Sequence, residues 1–263
     1  VEALGANFAI ASLQGTNLNG ARLFGADFRW ASMQAAVLDY ARLEGALLEG
    51  ADLEAASLYK AQLQGADFKG AKLTATDLRG AKVWMTVPPD ATSVELADFD
   101  GLTVEPLAPA TRNRIQSIVS SIDSKRLQDR VAESLAKLLD ERNMMSWEGT
   151  TQRRSWDYLI ANAGVGGGGV TVPEPQPVSR APGSGTYYSQ QLTEHLETMV
   201  CRVRWINGAV ATGVALRAIA PQFRGDLSAI EERMSDEECT AAQGVPSRVA
   251  SELRTSADRA RDR

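Results

Sequence analysis

The sequence is poor in the residues on which catalytic and metal sites most often depend. Among its 263 residues there are two cysteines and one histidine. Cys201 and Cys239 have neither a C-x-x-C spacing nor a histidine cluster around them, which argues against a metal site and against a small protein framed by disulfides. We therefore predict two buried thiols, with a redox pair as the alternative.

The single histidine, His195, lies in "LTEHLETM" on a predicted helix. A triad with Ser189 and Glu194 can be drawn, but nothing around the serine resembles a nucleophile elbow. A solvated or helix-capping histidine is the simpler interpretation. No carboxylate pair stands in a glycosidase context, and no glycine-rich loop ends in G-K-[ST]. The sequence therefore predicts a protein that is not an enzyme and that uses neither a cofactor nor a metal.

Long apolar runs and strong charge are also missing. Residues 205–221, "WINGAVATGVALRAIAP", are too short for a membrane span and carry Asn207 and Arg217, so they predict a buried helix. The chain opens at Val1 with neither a methionine nor a charged leader, and we expect it to be a fragment of a longer protein. The net charge is −5, and residues 1–85 hold eight Lys/Arg against nine Asp/Glu. This composition is typical of a soluble globular protein.

What the sequence does contain is a repeat of five residues. Sixteen pentads run from Ala6 to Met85 without an insertion. The first position is alanine except at Thr16 and Thr76, and the third position is always apolar. A period of five fits neither the 3.6-residue helix nor the two-residue strand. Short internal repeats of this kind predict a solenoid.

The pattern A-[DN]-L-x-G over residues 3–85 resembles that of pentapeptide-repeat proteins. The resemblance implies a right-handed quadrilateral β-helix with four pentads per coil, the third residue of each pentad pointing into the core. Residues twenty apart should then align, as the large residues Phe8, Phe28, Leu48 and Phe68 do. Sixteen pentads make about four coils. We expect the following helices to cover the C-terminal end, and missing upstream residues or a partner to cover the N-terminal end.

After Met85 the repeat gives way to other patterns. Residues 97–101, "ADFDG", look like one more pentad shifted by one residue, so residues 1–105 are predicted as the β-helix with an irregular last coil. Apolar residues at helical spacing predict a helical segment over 106–163 that caps the solenoid. Residues 164–188 contain Gly164, Gly166 and Gly169 but no flanking strand, and are predicted as a Gly/Pro-rich flexible linker. Residues 189–263 are predicted as a C-terminal helical segment. The fold class is β-solenoid plus α.

The C-terminal part also resembles the tails of large bacterial pentapeptide-repeat proteins that have membrane-spanning helices before the repeat. The residues that carry this resemblance are Leu196, Cys201, Arg217, Cys239, Pro246 and Leu253. It implies a cytoplasmic domain tethered to the bacterial inner membrane through a segment missing from this chain.

Two sets of outward residues are candidates for binding. One column at the second pentad position forms a modest basic ridge of Arg22, Arg42, Gln62 and Lys82. Four aromatic residues also fall outside the core positions, namely Phe24 and Tyr59 at the fourth position and Trp30 and Tyr40 at the fifth. Exposed large apolar groups need a reason. Either they dock the chain's own helices or missing N-terminal segment, or they form a surface for a partner.

These features favour a protein–protein interaction scaffold that binds an unidentified protein or a second copy of itself. The alternative is a DNA-mimicking protein acting on a type II topoisomerase, as some pentapeptide-repeat proteins do. Such mimics resemble long acidic rods, whereas this repeat is short and nearly neutral. We expect no nucleic-acid partner.

Overall fold

The computed structural model describes residues 1–140, 147–162, 184–201 and 208–262, and only the backbone of 184–188. Residues 164–183 of the predicted linker, with the three glycines named above, therefore lie outside the described residues. The helix that follows begins at Ser184, so the last residues assigned to the linker are helical.

The repeat folds into a β-helix solenoid in which residues twenty apart pair in parallel. One such ladder joins Arg22 to Arg42, Arg42 to Gln62, and Gln62 to Lys82. A turn ends each pentad, so four turns separate paired residues. After residue 87 the offset grows by one, as the shifted pentad at 97–101 predicts. The strands β1 (Lys82–Val83) and β2 (Thr103–Val104) pair with Lys82 opposite Thr103.

The core of the solenoid consists of stacked third-position residues with small first-position residues beside them. From the second coil onward these side chains are buried, Leu58 and Phe68 completely. Each contributes about 1.5–3 kcal/mol by leaving water. In the first coil Phe8 stacks on Phe28 with ring centroids 5.0 Å apart, but Leu4, Phe8 and Leu13 are only partly buried. Among the described residues, the N-terminal edge is thus the open end of the core.

The C-terminal end of the core is closed by tryptophans. Trp156 is fully buried, with its ring 6.4 Å from Phe68 and 6.4 Å from Phe99. Its indole N–H donates to the carbonyl of Thr86 at 3.1 Å. Trp147 packs on Trp84, which extends the same lid.

Seven α-helices follow the solenoid in the described part of the chain. The helices are α1 (Pro109–Ser120), α2 (Lys125–Leu139), α3 (Thr151–Asn162), α4 (Ser184–Val200), α5 (Ala209–Ala218), α6 (Leu227–Ser235) and α7 (Ser247–Arg261). Ser124 caps α2 by accepting from the backbone N–H of Leu127, and Asp226 caps α6 by accepting from those of Ser228 and Ala229. Helices α1, α2 and α3 share the solenoid's hydrophobic core, whereas α5 is surrounded by α4, α6 and α7 in a second cluster. None of the described helices has both the length and the apolar character of a membrane span.

The prediction of two separate thiols is wrong, because Cys201 and Cys239 form a disulfide. Cys201 follows the end of α4, and Cys239 precedes the short 3-10 helix Thr240–Gly244. The packing of α4 against α6 brings these two ends together. Sequence spacing alone could not show this approach, since it depends on how separate helices pack.

Candidate interaction surfaces

The turns of successive coils stack into four corner columns that run along the solenoid. Each column is formed by the fifth residues of pentads, which adopt left-handed backbone angles. We name them by order along the chain: the first corner is 5, 25, 45 and 65; the second is 10, 30, 50 and 70; the third is 15, 35, 55 and 75; the fourth is 20, 40, 60 and 80. The first and third corners are opposite each other, as are the second and fourth.

The first corner is covered by α2. All four of its residues are glycines, and they leave room for the apolar side chains of the helix. A Cβ at Gly45 would lie 2.9 Å from Leu135 Cδ2, and one at Gly65 would lie 2.7 Å from Leu138 Cδ1. The helix therefore lies directly on the turns. Arg130 of α2 also donates to the carbonyl of Gly5.

The third corner is covered by α5. Its alanines Ala35, Ala55 and Ala75 are buried in one cluster with the apolar residues of that helix. Glycines on both sides allow a close approach, because a Cβ at Gly15 would overlap the carbonyl oxygen of Ala209 and a Cβ at Gly213 of α5 would overlap the carbonyl oxygen of Ala35. Buried Arg217 donates from Nη1 to the carbonyls of Ala55 at 2.9 Å and Ala75 at 2.7 Å. Two opposite corners are thus occupied by the chain's own helices.

Polar contacts from the α5–α6 connection secure this arrangement. Gln222 donates to Asp39 at 2.8 Å and accepts from Arg79 at 2.5 Å, and Arg224 pairs with Asp100 at 2.6 Å. Burial raises the pKa of Asp39, opposed by a hydrogen bond from Ser57. The aspartates and arginines of this face are therefore engaged within the molecule and serve to hold the helices.

The predicted basic ridge is neutralised by internal ion pairs. Arg22 lies 3.4 Å from Glu2, and Lys82 lies 2.7 Å from Glu105. The hydrogen bond from Lys82 lowers the pKa of Glu105. Arg42 pairs at 2.6 Å with Glu44, whose pKa is raised by burial. The ridge is partly exposed, but each of its cations is matched by a carboxylate.

The four predicted aromatic residues divide into two kinds. Phe24 is only 2% exposed, shares a cluster with Val131 and Leu135 of α2, and has the Arg42 guanidinium over its ring. Of the two alternatives given for the aromatic residues, docking of the chain's own helices therefore applies to Phe24, because α2 covers it. Tyr59 is partly buried. Trp30 and Tyr40 are exposed, on the second and fourth corners.

The second corner is uncovered in the described structure and carries exposed apolar residues in two successive coils. Ile10 is 79% exposed and Trp30 is 64% exposed. The indole of Trp30 lies flat on the next turn, since a Cβ at Gly50 would be 2.7 Å from Trp30 Cδ2. No atom lies within 4 Å of the corresponding point at Gly70. The corner therefore has two large residues at one end and two glycines at the other.

The fourth corner carries a cluster of aromatic and cationic groups. Tyr40 is 51% exposed and packs edge-on against Tyr59 with ring centroids 5.6 Å apart. Lys60 Nζ lies 5.1 Å from the Tyr59 ring centroid and 6.0 Å from that of Tyr40. Hydrogen bonding to Tyr59 raises the pKa of Lys60. Sequence reasoning did not select Lys60, although its place one coil after Tyr40 in the twenty-residue register could have done so.

The histidine and serine considered for catalysis have separate structural partners. His195 is half-buried, with Nε2 3.3 Å from Glu54 Oε1 of the solenoid, so the expectation of a solvated or capping residue is wrong. Ser189 donates to the carbonyl of Arg224, and Glu194 accepts from Gln190. Within the described residues, no group of His, Cys, Asp and Glu is placed to hold a metal ion. These contacts hold α4 in position.

Comparison with known proteins identifies the repeat. The family model "Pentapeptide repeats (8 copies)" matches residues 5–39 and 36–74. No curated protein matches the chain. Three solved structures are similar to part of the chain, each with a TM-score below 0.5.

The first is a pentapeptide repeat protein from the thylakoid lumen of Arabidopsis thaliana, with 25% identity, coverage of 46% of this chain and 86% of the other, and a TM-score of 0.31. The second is HetL of the cyanobacterium Nostoc sp. strain PCC 7120, involved in regulating heterocyst differentiation, at 30% identity, 40% and 53% coverage, and a TM-score of 0.26. The third is QnrB1, a plasmid-mediated fluoroquinolone resistance protein, at 21% identity, 42% and 56% coverage, and a TM-score of 0.28. The family match and the twenty-residue pairing show that the solenoid of this chain is built of pentapeptide repeats.

Proposed function

We propose that the chain is a non-enzymatic scaffold that binds other proteins through the uncovered corners of its solenoid. One observation carries the proposal: Ile10, Trp30 and Tyr40 are large and exposed, and each stands at a left-handed turn position. Their φ angles are 62°, 59° and 57°. Among the described residues, Val1 is the only other large hydrophobic residue that is exposed.

The backbone makes this placement unfavourable for folding. A left-handed conformation costs a residue other than glycine about 1–2 kcal/mol, and the penalty is greatest for a β-branched residue such as Ile10. Glycine fills the same position at Gly20, Gly50 and Gly70 without that cost. Because these side chains are exposed, burial of apolar surface does not offset the cost of the left-handed backbone conformation. Strained residues persist mainly where they serve a function, and display to a partner accounts for both the strain and the exposure.

The DNA-mimic alternative has less support. A mimic of duplex DNA needs a continuous acidic surface, because DNA carries one charge per roughly 1.7 Å. Here acidic and basic residues alternate, as the pairs Arg22–Glu2 and Lys82–Glu105 illustrate. Apolar corner residues also have no counterpart in a phosphate backbone.

A membrane tether through a segment outside this chain is part of the proposal, and a cytoplasmic location stays a prediction. The Cys201–Cys239 disulfide weighs against that location, because disulfides persist mainly in oxidising compartments.

The test is affinity capture with the full-length protein, in detergent, from its native cells. Wild type is compared with Trp30→Ala, with Tyr40→Ala, and with Lys137→Ala, an exposed control on α2. We expect at least one corner variant to lose a captured protein about tenfold or more, and the control to retain it. Equal capture by all four proteins would refute binding through the corners. Recovery of topoisomerase subunits would favour the mimic instead.

A further inference from the structure

We propose that the second corner is a self-association surface on which two copies of this chain pack with their solenoids antiparallel, related by a two-fold axis. The inference deepens the proposed function. It rests on that function in one respect, because both take the second corner to be a protein-binding surface. The occupant is a second copy, and shape and charge along the corner both support that assignment.

The shape of the second corner is self-complementary under such an axis. Its residues are Ile10, Trp30, Gly50 and Gly70, in successive coils. An axis passing between the second and third coils places position 10 opposite position 70 of the second copy, and position 30 opposite position 50. Each large residue then faces a glycine. The open space beside Gly70 can receive the side chain of Ile10.

The two tryptophans would meet near the axis. Each Trp30 already lies with one face on its own Gly50, which fixes the ring while leaving 64% of the residue exposed. Two such rings, approaching with their outer faces, can stack at offset geometry. Little side-chain freedom is lost on association, because the ring is held before the partner arrives.

The flanking charges favour the antiparallel arrangement over the parallel one. The fourth-position residues beside this corner are Ala9, Arg29, Glu49 and Lys69, and the second-position residues on its other flank are Ser12, Ser32, Asp52 and Lys72. The antiparallel axis pairs like flanks, so Arg29 faces Glu49 of the second copy, and Ser32 faces Asp52. A parallel axis would pair unlike flanks, and would bring Glu49 against Asp52 and Lys69 against Lys72. Like charges in such contacts oppose association.

Arg29 remains available for this contact. Its guanidinium donates to Asp27 at 2.9 and 2.6 Å, yet 47% of its side chain is exposed.

The fourth corner does not offer the same fit. It has Gly20 and Gly80 at its two ends, so the same operation would place glycine against glycine and leave gaps.

The expected dimer is weak. Four coils spaced by about 4.8 Å give a strip about 19 Å long. A strip of this length and only three residues wide buries less than the roughly 800 Å² per partner of a standard stable interface. We therefore expect a dimerisation Kd in the micromolar range or above.

The experiment is analytical ultracentrifugation of the whole chain from about 1 to about 500 μM, a range that brackets such a Kd. Wild type should pass from monomer to dimer. Trp30→Ala should raise the Kd about tenfold or more, whereas Tyr40→Ala, on the fourth corner, should leave it unchanged. A wild type that stays monomeric throughout would overturn the proposal.

Charge exchange tests the two-fold geometry. Arg29→Glu and Glu49→Arg should each remain monomeric at a concentration where wild type is dimeric, because each places like charges face to face twice. An equimolar mixture should form heterodimers, since both contacts then join opposite charges. Thermal melts establish that each variant is folded. A mixture that stays monomeric overturns the antiparallel arrangement.

Failure of this inference is distinguishable from failure of the proposed function. If wild type is monomeric but Trp30→Ala loses a captured protein, the second corner binds another partner and the self-association proposal is rejected. If the dimer forms and the variants change its Kd as described, while no other protein is captured, the self-association proposal stands. The proposal of a scaffold for other proteins is then rejected.

Discussion

The first and third corners are both covered by a helix, but they achieve the close approach in different ways. At the first corner the solenoid supplies glycine throughout, and α2 fills the space with Leu135 and Leu138. At the third corner the solenoid supplies Gly15 followed by alanines, and α5 supplies Gly213. Glycine therefore stands on the solenoid in one interface and on both the solenoid and the helix in the other.

This difference shows what a covered corner requires. The left-handed turn brings backbone to the surface, so a helix can lie on it only where one side of the contact lacks a side chain. Ala35, Ala55 and Ala75 have φ angles of 54°, 58° and 55°, which shows that the turn itself tolerates a Cβ. Glycine at the first corner consequently reflects the helix above it as well as the turn. The large residues Ile10 and Trp30 are exposed at the second corner, which no described helix covers.

Gly213→Ala should break the third corner and have the largest effect. In an ordinary helix interior this change stabilises by about 0.5–1 kcal/mol, because glycine loses more entropy on folding. Here the added Cβ would overlap the Ala35 carbonyl and lie 2.7 Å from Gly15 Cα, both backbone atoms. We expect destabilisation of about 1–3 kcal/mol, as in overpacked cores, measured by urea and thermal unfolding. A stabilised variant would show that α5 does not lie on this corner.

Gly45→Ala should disturb the first corner less. The new Cβ would lie 2.9 Å from Leu135 Cδ2, which can move, and 2.9 Å from the Ser134 carbonyl oxygen, which cannot move easily. Gly20→Ala is the matched control, because Gly20 has a similar positive φ and no atom within 4 Å of the added Cβ. The control measures the free-energy cost of adding a Cβ at a left-handed turn, without any contact to a helix. We expect the difference between the two variants to be about 1 kcal/mol in unfolding free energy. Equal effects would mean that α2 imposes no requirement at this turn.

The coil register and the core could be predicted from the sequence, because a pattern repeated every five residues is local. Phe28, Leu58 and Phe68 point inward for the same reason in every coil. The covering of the corners could not be predicted, since it depends on helices that are distant in the sequence. Phe24 and Trp30 both fall outside the core positions of their pentads, yet Phe24 is buried under α2 whereas Trp30 is exposed. The Cys201–Cys239 pair has the same origin, in the packing of distant helices.

Each covered corner also has a buried charged residue close to it. Arg217 lies at the third corner, where it donates to the carbonyls of Ala55 and Ala75. Glu44, next to Gly45 at the first corner, has its pKa raised by burial, against the opposing hydrogen bonds from Arg42. The folded state therefore holds this proton to a higher pH than the unfolded chain does. Stability from Glu44 is greatest below its ordinary pKa and declines as the pH rises through the raised value.

Glu44→Gln should remove that decline and is the smallest effect we predict. Glutamine keeps the shape of the side chain, and Arg42 stays partly hydrated because 26% of its side chain is exposed. Relative to wild type, the variant should gain on the order of 2 °C in Tm between pH 4 and pH 7, followed by thermal melts across that range. A Glu44→Gln difference that is constant with pH would mean that the carboxylate is not desolvated under α2, and that the first corner is less tightly covered than the third.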